Sequence, residues 1–129
     1  MDRKILYANV LEAEKRIRPY IRTTFLDNSV YLSQQTGANV FLKHEEQQHT
    51  GSFKLRGAFN RILSLTREEI HKGVICASTG NHGLAVAYAS KLTDIQATVY
   101  LPETTSALKV DKIKALGENV QPVQGDCLE

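Results

Sequence analysis

From residue 39 onward, short apolar runs of strand length alternate with longer stretches of helical period, and a glycine or a small polar residue marks each change. That alternation restricts the chain to an α/β fold, and an open, mostly parallel twisted sheet with flanking helices is expected. The first strand reads 40–43. A helix follows from about Ser52, with Leu55, Phe59, Ile62 and Leu63 on one apolar face. Thr66 and Glu69 have the spacing of a capping box, and Gly73 ends that short helix. The second strand, 73–78, is continuously apolar and reads as central, covered on both faces. A small-residue helix over 83–92 follows, with Ala85, Ala87 and Ala89 free to pack closely. A third strand over 97–101 stops at Pro102. The fourth helix carries Ala107, Val110 and Ile113 and stops at Gly117. A fourth strand over 119–123 contains Pro122, which cannot donate to a ladder and so reads as an edge; Gly125-Asp126 would cap a further helix.

The first forty residues stand apart from this rhythm. Val10, Ala13, Ile17 and Ile21 line one helical face, Pro19 disturbs its end, and 29–37 reads as another helix, so this N-terminal helical arm has no evident place in the sheet. The 129 residues suit one ordinary domain, and 42% hydrophobic content allows a packed core. Net charge is only +2, with Lys and Arg scattered among acids, so no nucleic-acid surface is expected. The apolar runs are short and the opening Met1-Asp2-Arg3-Lys4 resembles no secretion signal, so neither export nor a membrane span is expected. Cys76 and Cys127 are far apart with no CxxC or Cys/His partner, which points away from a disulfide framework or zinc and toward a reducing cytoplasm.

Two βα junctions carry the residues that could do chemistry, because ligands in doubly wound sheets meet the free amides at helix starts. The first junction is His49-Thr50-Gly51-Ser52-Phe53-Lys54-Leu55-Arg56-Gly57, and the second is Ser78-Thr79-Gly80-Asn81-His82-Gly83. Lys54 falls in the first turn of its helix, where a cation is disfavoured by about 0.3 to 1 kcal/mol. That field, with burial beside Phe53, favours the neutral amine that can attack a carbonyl. Taken alone, Lys54 reads as an exposed lysine at a fraying helix start; the second junction changes that reading. It offers hydroxyls, an amide side chain and a glycine that lets the backbone turn, an anion pocket by composition, although a polar turn with Thr79 or Asn81 as helix cap has the same spelling. His44 and His49 are five apart near a strand end, unlike the zincin pair, and read as solvated loop residues. His71 beside Lys72 reads as a helix-end dipole contact, and Arg56 as a surface or ion-pair residue. Neither G-x-G-x-x-G nor G-x-x-x-x-G-K occurs, and strands ending in Ser78 and Leu101 do not fit a receiver domain.

Together the words Ser52-Phe53-Lys54-Leu55-Arg56-Gly57 and Ser78-Thr79-Gly80-Asn81-His82-Gly83 resemble those of the fold type II enzymes that use pyridoxal 5′-phosphate (PLP), specifically the threonine and serine dehydratases and their relative serine racemase. The likeness runs from about residue 23 to the chain end. It implies that 39–129 is the small domain of that fold and that the arm, 1–38, packs with a larger domain this chain lacks. It also implies that Lys54 forms the Schiff base, that Phe53 packs against the cofactor ring and that Asn81 hydrogen-bonds the ring hydroxyl. Ser78, Thr79, Gly80, Asn81 and His82 would hold the substrate carboxylate. Many of these dehydratases carry serine in place of Thr79, and in the racemase that serine is the second proton-transfer base. Thr79 keeps the hydroxyl and adds a methyl group, which bears on racemisation more than on elimination. The 78–82 spelling is also similar to dehydratase-like enzymes of ectoine breakdown and, less closely, to threonine synthase. The family's glycine-rich phosphate loop and its partner for the pyridine nitrogen have no counterpart here.

The resemblance therefore implies a PLP-dependent ammonia-lyase that converts a hydroxy amino acid, L-threonine or L-serine, into a 2-oxo acid and ammonia by β-elimination. Lys54 would accept the α-proton, Thr79 would stand in the racemase base position, and the full-length protein would be a homo-oligomer. A serine racemase or an ectoine-breakdown type of enzyme is the alternative within the family, and a non-catalytic α/β fragment is the alternative outside it. With its larger partner lacking, the chain is expected to expose apolar surface over 5–32 and to associate.

Overall fold

The structure, a computed structural model, describes residues 3–125. The expected cap at Gly125-Asp126 involves Asp126, which lies outside the described residues, as does Cys127. In chain order the elements are α1 (Arg3–Ile17), β1 (Leu26–Asn28), α2 (Val30–Thr36), β2 (Phe41–Lys43), α3 (Lys54–Ile62), α4 (Arg67–Lys72), β3 (Val74–Ala77), α5 (Asn81–Thr93), β4 (Ala97–Pro102), α6 (Ala107–Lys114) and β5 (Asn119–Val123). Single 3-10 turns lie at Arg18–Tyr20 and Glu45–Gln47.

β3, β4 and β5 form a parallel sheet in that order, with Val74 opposite Ala97 and Thr98 opposite Asn119. The helix between each pair of strands is the crossover that parallel pairing requires. Pro122 does sit on an edge strand, paired with Leu101.

The expected first strand departs from the reading of the sequence. β2 is not part of the parallel sheet but pairs antiparallel with β1 in a separate two-stranded ribbon, Asp27 opposite Leu42. The arm thus does enter a sheet. Amides just outside the ribbon extend its ladder, Ser29 N–H to the Val40 carbonyl at 2.8 Å and His44 N–H to the Phe25 carbonyl at 3.0 Å. Leu26-Asp27-Asn28 escapes notice because two of its three residues are poor strand formers. The second correction concerns β3, which lies at an edge of the three described strands while β4 is central. The exposure of Ile75, 76%, shows that apolar composition does not ensure cover on both sides.

Local signals set most element ends. The Ser29 hydroxyl accepts from Leu32 N–H to cap α2, and Gly37, at φ +68°, ends it. Thr66 and Glu69 form the reciprocal capping box of α4. At its other end Gly73 has φ +73°, and a Cβ there would meet the Gln96 carbonyl oxygen at 2.8 Å, so glycine is required twice over. Pro19 falls in the 3-10 turn that ends α1 at Ile17.

The core has two parts on either side of α5. Ile17, Ile21, Leu55, Ala58, Phe59 and Ile62 meet Ala85, Val86 and Ala89 in the larger one. Ala87, Val99, Leu101 and Ile113 make the smaller, between α5, β4 and α6. The arm reaches this core through Ile17, Tyr20 and Ile21; Val10, expected on the same face as Ile17 and Ile21, is exposed.

Among the described residues no helix is long and apolar enough to cross a membrane. The arm nonetheless presents a run of uncovered apolar side chains, with Tyr7 66%, Phe25 69% and Tyr31 70% exposed. Such a run is larger than scattered surface apolar residues explain. Light scattering of this 129-residue chain should therefore show self-association, reduced by Val10→Glu together with Val30→Glu; a clean monomer before substitution would contradict this.

Candidate active site

Lys54 is the first residue of α3, and Phe53, in right-handed helical conformation, stands at the cap position without a capping side chain. The lysine Nζ lies 5.3 Å from the centre of the Phe53 ring. The burial expected there is not found: Lys54 is exposed and Phe53 is 60% exposed. Short of Lys54, Gly51 turns the backbone at φ +70°. The hydroxyls of Thr50 and Ser52 are buried and find no hydrogen-bond partner among the described residues. Unpaired buried hydroxyls cost about 1 to 3 kcal/mol each, so a site that keeps two of them beside a lysine holds polar capacity in reserve.

The second junction is built by packing. α5 starts at Asn81 with no capping side chain, leaving its first amides free to meet an anion. Gly80 N–H donates to the Ser78 hydroxyl at 3.3 Å. Gly80 itself is extended at φ −162° with open space where a Cβ would stand, so the turn does not need its glycine. Gly83 is the constrained one: a Cβ there would lie 3.0 Å from Val99 Cγ1 and 3.3 Å from the Ser78 carbonyl oxygen. Thr79, Asn81 and His82 are exposed and make no side-chain hydrogen bond among the described residues.

The structure brings some of these residues together and keeps others apart. His82 shares a cavity of about 350 Å³ with Gly57 and Ala58 of α3 and Cys76 of β3. Thr79, Gly80 and Asn81 line a smaller one, about 130 Å³, against Lys109 and Lys112 of α6. Lys54 and Phe53 line neither cavity.

Several residues around the lysine loop were not singled out by their sequence. The Glu45 carboxylate accepts from Arg56 Nε at 2.9 Å and Nη2 at 2.7 Å, and Thr24 Oγ1 donates to the same carboxylate at 2.7 Å. Arg56 is thus the ion-pair residue of its two readings. Its guanidinium, ahead of Thr24, holds the Glu45 carboxyl below the usual glutamate value, against the upward push of burial. Gln48 is buried and brackets Arg22, accepting from its N–H at 3.1 Å and donating to its carbonyl at 2.7 Å. Both histidines lie in loops, as read, His49 exposed and His44 partly so, and each also has a partner the sequence did not announce. His44 contacts Glu46 at 2.7 Å and Asp27 at 3.1 Å, and chiefly the Glu46 hydrogen bond raises its pKa. His49 stacks on Tyr88 at 5.4 Å, and burial lowers its pKa. The advance signal was the short run His44-Glu45-Glu46, of whose carboxylates Glu45 is turned inward, its side chain 14% exposed, while Glu46 faces solvent.

The described residues form a parallel α/β framework with a lysine at one helix onset and free amides at another. Comparison with known proteins gives the family directly. The model of the pyridoxal-phosphate dependent enzymes matches residues 17–129, and the chain belongs to that family. It is 50% identical over 113 residues to a catabolic L-threonine dehydratase of Staphylococcus aureus, covering 87% of this chain and 33% of that relative. A biosynthetic L-threonine dehydratase of Staphylococcus epidermidis is 40% identical over 116 residues, covering 90% of this chain and 28% of the relative. Among solved structures, threonine deaminase isoform 2 from Solanum lycopersicum superposes with a TM-score of 0.86 at 35% identity, covering all of this chain and 38% of that one. Maize serine racemase gives 0.84 at 37% identity, over 92% of this chain and 36% of the other. The chain thus spans about a third of the length of the proteins it matches.

Two consequences are measurable. Gly83→Ala should lower unfolding free energy by about 1 to 3 kcal/mol in denaturant titration, because the added methyl overpacks against Val99 and Ser78. For Glu45 the folded carboxyl has the lowered pKa, so its pair stabilises the fold fully above the ordinary glutamate range. That stabilisation is lost as pH falls through the lowered value. Glu45→Gln should therefore reduce stability near neutrality, with the difference from the unsubstituted chain vanishing in strong acid; a pH-independent difference would exclude the assignment.

Proposed function

We propose that the protein carrying this chain is a PLP-dependent ammonia-lyase of the threonine and serine dehydratase type, in which Lys54 holds the cofactor. The carrying observation is an exposed lysine at the onset of α3 beside two buried, unpaired hydroxyls, Thr50 and Ser52. These residues fit a polar carbonyl-bearing group, since the lysine supplies the nucleophile and the hydroxyls supply unused hydrogen-bonding capacity. The two staphylococcal relatives, both named as L-threonine dehydratases, support the reaction class.

When bound, the cofactor supplies an aldehyde carbon for the lysine and a conjugated ring that disperses the charge left by α-proton removal. The chain's own residues do the rest. Phe53 offers an aromatic face beside Lys54, and Asn81 offers its side-chain amide to the ring hydroxyl. Ser78, Thr79, Gly80, Asn81 and His82 present hydroxyls and the free amides of the α5 onset to the substrate carboxylate. Lys54 Nζ would accept the α-proton and return a proton to the departing β-hydroxyl, so that water leaves and hydrolysis of the remaining product gives a 2-oxo acid and ammonia. Thr79 brings a hydroxyl to the position the racemase uses for its second base, with a methyl group that crowds it.

The same reading assigns 39–129 to the small domain and 1–38 to an arm that packs on a larger one. The uncovered apolar side chains of α1 support that packing, while the β1–β2 ribbon ties the two parts together. A hydroxy amino acid is the proposed substrate, a homo-oligomer the proposed assembly and the cytoplasm the proposed setting.

Lys54→Ala in the intact protein should abolish the visible absorbance of lysine-bound cofactor. Borohydride reduction followed by peptide mapping should find the adduct on Lys54 before substitution and nowhere specific after it. An adduct on a different lysine, or an unchanged spectrum in the variant, would refute the assignment.

A further inference from the structure

Lys54 is held by little of its own: its side chain is exposed, and its helix begins without a side-chain cap. A nucleophilic amine must nevertheless meet a carbonyl carbon within narrow limits, since a misplacement of about 1 Å costs on the order of a hundredfold in rate. Its position has to come from the backbone on either side.

Both sides are gripped by one short segment. Before the lysine, Gln48 is bracketed by the Arg22 main chain, accepting at 3.1 Å and donating at 2.7 Å. After it, Arg56 lays its guanidinium on Glu45 through two hydrogen bonds, at 2.9 and 2.7 Å. Glu45 opens a single 3-10 turn that Gln48 follows, and their further partners are also neighbours in the chain. Thr24 donates to Glu45 at 2.7 Å, while Lys43 Nζ donates to the Thr24 carbonyl at 2.7 Å. The side chains of Arg56 and Glu45 are only 31% and 14% exposed, so this pair differs from the surface pairs on α4 and α1. A forked guanidinium–carboxylate contact fixes direction as well as distance.

We propose that Glu45 and Arg56, braced by Thr24, are positioning residues that set the place of Lys54 for reaction with the cofactor aldehyde. The proposal rests on the reading of Lys54 as the cofactor lysine. Arg56 follows Lys54 on the first turns of α3, so a fixed guanidinium limits how that turn can rotate or fray, and Glu45 transmits the fixed frame of the 22–24 segment to it.

The test uses the intact protein loaded with PLP, measuring the visible absorbance of lysine-bound cofactor and, after borohydride reduction, the share of label on each lysine. Glu45→Ala and Arg56→Ala, checked for unchanged helical circular dichroism, should each lower the Lys54 share by about tenfold while labelling of the exposed lysines holds steady. Loss of folding alone would move all lysines together. Glu45→Gln, which keeps the shape and one acceptor oxygen, should lower the share by about threefold and serves where the alanine variants do not fold. Glu68→Gln, which breaks only the exposed Lys72–Glu68 pair, should change nothing. If Lys54 is labelled and its share is the same in every clamp variant, the positioning role is overturned and the cofactor assignment stands. If Lys54 is unlabelled in the unsubstituted protein, both are overturned.

Discussion

The close packing of α5 governs the rest of the structure. Ala85, Ala87, Ala89 and Ser90 are fully buried, and Gly83 is buried where a Cβ would strike both Val99 and the main chain of Ser78. Small side chains let this helix approach α3 on one side and the sheet on the other, where dispersion contacts fall off within a fraction of an ångström. α3 begins at Lys54 and α5 at Asn81, so the distance between the two reactive onsets is set by how the helices meet and not by the loops themselves. Phe59, fully buried, makes the contact directional: it meets Tyr88 edge-on at 6.3 Å and stacks with Tyr20 at 5.0 Å. The His49–Tyr88 stack carries the same series into the lysine loop.

The two onsets are held by different physics. Packing at Gly83, with the Gly80 N–H to Ser78 hydroxyl contact, places the α5 onset, and the side chains of Thr79, Asn81 and His82 make no hydrogen bond among the described residues. The α3 onset is placed by polar contacts whose geometry is directional, the forked ion pair and the amide bracket of Gln48. Such a division suits the proposed chemistry: a carboxylate-binding cradle would tolerate adjustment through several weak donors, whereas a nucleophile would not. Taking a charged pair partly out of water is costly, and it is sustained here because Glu45 accepts a third hydrogen bond from Thr24.

Local rules made much of this fold legible. The capping box at Thr66, the positive-φ Gly73 that ends α4 and the alanine-rich face of α5 all depend on neighbours within a few residues, and each stands where the sequence places it. Contacts between distant segments were not legible. Nothing in Leu26-Asp27-Asn28 announces a strand until Phe41-Leu42-Lys43 lies beside it, and β3 looks central because its apolar content does not say which neighbour covers it. The same holds at the site. Lys54 and Asn81 could be named from their words, but Glu45, Thr24 and Gln48 earn their place only through partners 11, 21 and 26 residues away.

Lys54 and Phe53 are both exposed, Phe53 at 60%. On the proposed reading of Lys54 as the cofactor lysine, enclosure would favour reaction, because exclusion of water strengthens every electrostatic interaction around it. Enclosure can be supplied by a surface that arrives later, whereas direction cannot, since a covering surface presses on a side chain without choosing its turn of helix. The contacts that give direction, Glu45 to Arg56 and Gln48 to Arg22, are all contained in residues 22–56 and are complete before any cover is added. The uncovered arm and the exposed Ile75 are then the surfaces on which cover can form.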